Sequence, residues 1–138
     1  MRPFTIKTID HIVLRVRDMQ RSQDFYVNLL GCSVAKVNEK YSMIHLRTGT
    51  SLIDLVDING VLGKAGGEAP DCKRPNVDHF CLRIDPFDAK ALCTYFADHG
   101  IEVESPMVRY GAEGDGLSIY IRDPDNNRVE LKGPSSVV

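Results

Sequence analysis

Two histidines sit in matching surroundings. IDHIVLRV runs from Ile9 to Val16 and VDHFCLRI from Val77 to Ile84, both reading apolar–Asp–His–apolar–x–Leu–Arg–apolar. Both runs are strand-like, and in a strand alternate residues share a face. His11 then projects with Ile9, Val13 and Arg15, away from Ile12, Leu14 and Val16. His79 projects with Val77, Cys81 and Arg83, away from Phe80, Leu82 and Ile84. A later strand-like run in each half carries an acid, Asp54 in SLIDLV and Glu130 in RVELK. Two imidazoles with one or two carboxylates form an ordinary ligand set for a divalent metal, whose open positions hold water or substrate. A single strand histidine is more often a hydrogen-bonded or half-exposed residue, and duplication alone copies a histidine without copying a function. An acid at the equivalent later strand of each copy brings the metal reading level with that plainer one.

The elements that would position these groups also repeat. After Val16 comes RDMQRSQDFYVNLLGCSV, where Met19, Phe25, Tyr26, Leu29 and Leu30 fall at helical spacing and Gly31 is a stop. After Ile84, Phe87, Ala91, Leu92, Tyr95 and Phe96 do the same, closed by Gly100. YSMIHLRTGTSLIDLVD reads as two strands around Thr-Gly-Thr, and GLSIYIRDPDNNRVELK as two around DPDNN. Each half is therefore βαβββ. The class is α+β: two βαβββ modules, over 7–60 and 77–133, forming a cupped mixed β-sheet with helices outside. They make a single domain over 1–138. The Gly- and Pro-rich stretch 61–76 reads as the linker or a mobile loop over a site, and Arg109–Gly116 (RYGAEGDG) as a second glycine-rich loop.

Composition sets the bounds. A net charge of −2 gives no electrostatic footprint for nucleic acid or an anionic membrane. No apolar run approaches the roughly 20 residues of a membrane helix. The segment MRPFTIKTID lacks the apolar core of a secretory signal. Cys32, Cys72, Cys81 and Cys93 form no C-x-x-C pair and read as buried free thiols. A cytoplasmic location fits. His45 reads as a surface strand residue with some claim to the site, and His99 as a helix C-terminal residue.

The paired modules resemble the vicinal oxygen chelate superfamily, which includes glyoxalase I, extradiol dioxygenases, fosfomycin-modifying thiol transferases and bleomycin-resistance proteins. DHIVLRVRDMQRSQDFYVNLLG, VDHFCLRI and YIRDPDNNRVEL carry the likeness, with Asn127 in place of the glycine of the family's D-P-D-G ending or its neighbour. The resemblance implies metal ligands at His11, His79 and Glu130. A fourth position falls on Asp54, where glyoxalase I has glutamate. Aspartate is one methylene shorter, so it reaches a metal through water or serves as a base instead. The likeness further implies Glu130 and Asp54 as catalytic carboxylates, and Arg15, Arg83 and Tyr120 as substrate-binding residues. A surface arginine at 15 and a packed tyrosine at 120 are the plainer readings.

The first reading is a metal-dependent lyase or isomerase of glyoxalase type, closest in look to bacterial glyoxalase I. It would use Ni, Zn, Mn or Fe, a small-molecule substrate, and glutathione or another thiol as cosubstrate. In that chemistry a carboxylate moves a proton between neighbouring carbons of a thiol–ketoaldehyde adduct. The second is a thiol transferase or an extradiol-type dioxygenase built on His11, His79 and Glu130. The third is a metal-free binding module, against which the intact triad speaks. A homodimer is implied by resemblance alone.

Overall fold

The computed structural model describes residues 1–136. It divides into two compact units, Met1–Pro70 and Asp71–Val138. In the first, β1 (His11–Val16) leads into α1 (Met19–Gln23). The Asp18 carboxylate caps α1 by accepting from the Arg21 amide at 3.1 Å, an ordinary N-terminal signal. The helix then widens into a π-helical stretch, Asp24–Leu29, where the Leu30 amide donates to the Phe25 carbonyl. Gly31, at φ 87°, adopts the left-handed conformation that ends it. Then come β2 (Ser33–Asn38), β3 (Met43–Thr48), β4 (Ser51–Asp57) and the short α2 (Val61–Ala65).

The strands pair in the order β1-β4-β3-β2, with β1 and β4 parallel and the others antiparallel. Leu14, Val16, Ile44, Leu46, Ile53 and Leu55 share one face and are buried. Phe25 and Tyr26 are buried too, their rings edge to face. That leaves the opposite face, with His11 and Asp54, for chemistry.

The second unit repeats the plan. β5 (His79–Arg83) precedes α3 (Ala89–Asp98), β6 (Glu104–Gly111), β7 (Gly114–Arg122) and β8 (Arg128–Lys132), paired in the order β5-β8-β7-β6. β5 and β8 are parallel. Asp88 caps α3 from the Ala91 amide. Ile119, Ile121, Val129 and Leu131 form the buried face. Both units are strand–helix–three strands, as the repeat predicts.

Several expectations change. The stretch 61–76, expected to be irregular, carries α2, which lies in the first unit. Arg109–Gly116, read as a loop, is mostly the closed end of the β6–β7 hairpin, with only Ala112 and Glu113 between the strands. Its glycines serve close approach: a Cβ on Gly111 would lie 2.6 Å from the Lys132 side chain, and one on Gly116 2.5 Å from the Pro134 carbonyl. The cysteines are free, but Cys72 and Cys81 are exposed. β5 is an edge strand with alternating exposure, and Cys81 is on its open face.

In DPDNN the left-handed residue is Asn126 at φ 66°, so Asn126 takes the conformation glycine would. Asn127 does different work. It is fully buried, its amide N–H and its side-chain Nδ2 donate to the two Asp123 carboxylate oxygens, and its Oδ1 accepts from the Asn76 amide at 3.0 Å. Asn127→Ala is expected to cost about 1–3 kcal/mol by stranding these groups, read as a lower midpoint in urea unfolding.

Candidate functional site

Each site is built on a parallel pair of strands. In the first unit His11 lies opposite Leu52 and Asp54 opposite Val13, so the imidazole and the carboxylate share a face, two residues offset. In the second unit His79 lies opposite Arg128 and Glu130 opposite Cys81, the same offset. The acids are buried and the histidines half-exposed.

Both histidines are held by the residue before them. His11 Nδ1 meets Asp10 Oδ2 at 2.7 Å, and His79 Nδ1 meets Asp78 Oδ2 at 2.6 Å. An ionised carboxylate only accepts, so each ring donates Nδ1–H and leaves Nε2 for another partner. A carboxylate behind the imidazole is the usual support of a metal-ligating histidine. The bond to Asp10 is the main cause raising His11 above the ordinary imidazole range, helped by the charge of Asp54 and opposed by desolvation. Protons therefore compete for His11 to a higher pH than usual. Asp78 is lowered, chiefly by its bond to His79.

The acids are each engaged by the residue opposite them on the neighbouring antiparallel strand. Asp54 Oδ1 accepts from His45 Nδ1 at 2.8 Å across β3–β4. Glu130 Oε1 accepts from the Tyr120 hydroxyl across β7–β8. Burial opposes ionisation of Glu130. Hydrogen bonds from Cys81 and Tyr120, with the charges of His79 and Lys132, outweigh it and hold the carboxyl below its usual range. The Cys81 thiol is pushed up to about 12, first by desolvation and then by its bond to Glu130, so it is a proton donor rather than a nucleophile. Tyr120 is raised by the same two causes, and the Arg128 guanidinium stacks 3.8 Å over its ring.

The expected substrate-binding residues have protein partners. Arg15 donates to the carbonyls of Gly63, Gly67 and Glu68, holding the segment around α2. Arg83 donates to Glu113 and to the Ile84 carbonyl. Tyr120 donates to Glu130. Sequence reasoning missed Asp10 and Asp78 as supports, although both were visible in the repeated Asp-His pair. It underweighted His45, whose signal was its place opposite Asp54 once the hairpin was set. Among the described residues no three His, Cys, Asp or Glu side chains gather into a metal-binding group, and no helix is long and apolar enough to cross a membrane.

The comparisons agree with this architecture. A glyoxalase domain-containing protein of Mycosarcoma maydis is 34% identical over 131 residues, covering 94% of this chain and 70% of that protein. A lactoylglutathione lyase of Salmonella typhimurium is 30% identical over 131 residues, covering 88% of each. The crystal structure of a virulence protein of Salmonella typhimurium superposes with a TM-score of 0.75 at 30% identity, covering 96% of this chain and all of that one. The family model of the Glyoxalase/Bleomycin resistance protein/Dioxygenase superfamily matches residues 8–131, and the chain belongs to that superfamily.

Proposed function

We propose that the protein is a metal-dependent lyase or isomerase of glyoxalase type. The observation that carries this is the repeated Asp–His pair, which in both units fixes Nδ1 and presents Nε2. The donor set suits the group: two imidazole nitrogens and one ionised carboxylate match Zn, Ni, Mn or Fe. His11, His79 and Glu130 would hold the metal. When bound, it would supply charge stabilisation for neighbouring substrate oxygens.

The chain's own residues support that chemistry. Tyr120 and Cys81 donate to Glu130 and keep it ionised, which fits a ligand better than a base. Asp10 and Asp78 hold the rings against rotation and stabilise their donation. The lactoylglutathione lyase likeness favours a thiol adduct of a ketoaldehyde, with glutathione or another thiol as cosubstrate. A homodimer in the cytoplasm completes the proposal.

The test is reconstitution with Ni, Zn, Mn and Fe, followed by turnover of the adduct of methylglyoxal with glutathione. Asp78→Asn is expected to weaken metal binding about 10–100-fold while the fold stays intact, measured by competition with a chromogenic chelator. Failure of the wild-type chain to take up any of the four metals would end the metalloenzyme reading.

A further inference from the structure

The segment 64–70 lies against the side chain of Arg15, on the face of β1 that also carries His11. We propose that this segment is a strap with a closed and an open state, and that Arg15 is the latch between them. The device needs no metal and stands apart from the metalloenzyme reading.

The closed state is held through backbone carbonyls. Arg15 Nη1 donates to the Gly67 carbonyl at 3.0 Å and to the Gly63 carbonyl at 3.3 Å, and Nη2 donates to the Glu68 carbonyl at 3.2 Å. Arg17 Nη2 donates to the Pro70 carbonyl at 3.4 Å. Two guanidinium groups of β1 thus gather carbonyls from 63, 67, 68 and 70.

The strap buries little of its own. Lys64, Ala65, Gly66, Gly67 and Glu68 are exposed, and Ala69 and Pro70 are half-buried. α2 turns Val61 and Leu62 toward solvent as well. A segment with few buried apolar contacts is the part of a fold that opens at least cost.

Glycines set a fixed end beside a loose one. Gly63 is buried, and a Cβ there would lie 2.0 Å from the Asp57 carbonyl, so α2 is pressed onto the end of β4. Gly66 and Gly67 follow where the chain leaves α2, with Gly67 in the left-handed region at φ 83°. Such a pair absorbs the backbone change of a hinge. A Cβ on Gly66 would lie 2.8 Å from Arg15 Nη1 and 3.1 Å from its Cδ and Cζ. The backbone therefore rests directly on the guanidinium, and any group added at Gly66 must push the latch aside.

In the closed state these Arg15 donors are turned to neutral carbonyls. Opening returns them to the face shared with His11. The strap therefore sets how much positive charge that face offers.

Limited trypsin digestion of the full chain, followed by mass spectrometry, tests the latch through the exposed Lys64. Wild-type protein is expected to be cut after Lys64 slowly. Arg15→Gln is expected to speed that cut about tenfold or more. Gly66→Ala is expected to do likewise while keeping the arginine. Alanine favours a helix and stiffens the chain, so a faster cut in Gly66→Ala reports the displaced latch and not a weaker α2. Amide exchange in β1 and β4 is measured beside it and should match wild type in both variants. If Arg15→Gln loosens the whole sheet, Gly66→Ala decides alone. A wild-type rate of cutting in Gly66→Ala, or a rise only in step with exchange of the sheet, overturns the proposal. Wild-type protein cut after Lys64 as fast as an unfolded peptide overturns it too, since no closed state would then exist.

Discussion

Wild-type protein is expected to emerge from reconstitution with near-stoichiometric divalent metal, and His79→Ala protein with almost none. The reasoning starts from the pairing of Asp78 with His79. The ring donates Nδ1–H to the carboxylate at 2.6 Å, so the nitrogen that remains is a ready donor to a cation. Removing a mere supporting partner weakens metal sites by about 10–100-fold. Removing the ligand itself should exceed that, because the remaining donors leave another metal position to water. Mass spectrometry of the dialysed protein reads the outcome directly. The ring is half-exposed and contributes little to the core, so the variant should stay folded. Equal metal in wild type and variant would show that His79 is not a ligand.

Phe96→Ala is expected to be the most damaging single truncation in the second unit. Of the ten residues of α3, Phe96 alone is buried, at 2% exposure. Ala89, Leu92 and Cys93 lie half-buried on the same stripe, and Phe96 is its one large side chain shut off from solvent. Phe96 also offers its carbonyl to the Ile101 amide at 2.8 Å, where Gly100 turns the chain back toward β6. Truncating a buried phenylalanine costs about 3–5 kcal/mol, the lost transfer energy plus the cavity left behind. For a chain of this size that corresponds to a fall in Tm of roughly 10–20 °C, which differential scanning calorimetry would record. A fall of only a few degrees would mean that α3 is anchored elsewhere.

Much of this architecture was legible because two periods change at the right places. Alternation over Ile9–Val16 and Val77–Ile84 gave way to helical spacing and then to alternation again, and a glycine marked each helix end. The duplicated Asp-His pair drew attention to both histidines and to the acids three strands further along each half. The rest depended on register, which no local pattern prints. Only the β3–β4 ladder puts His45 opposite Asp54, and only β7–β8 puts Tyr120 opposite Glu130. The RYGAEGDG segment misled because its glycines looked like loop chemistry. They are instead small residues in a hairpin that leaves room for Lys132, whose ammonium donates to the Arg109 and Gly116 carbonyls. Arg15 read as a substrate-binding or surface residue because its carbonyl partners lie about fifty residues downstream.

The parallel pairing of first and last strands has a consequence for the order in which the protein can be made. Asp54 with His45, and Glu130 with Tyr120, are joined across hairpins whose partners are nine and ten residues apart. Such short loops close early and at small entropic cost. His11 and His79 arrive only when a strand some forty to fifty residues upstream docks alongside. A half-folded unit thus carries a preset acid but no imidazole from the repeat, and the two groups share a face only after the final long-range closure. Any ligand that needs both groups would therefore recognise only a completed fold, through the same ladder that closes each sheet.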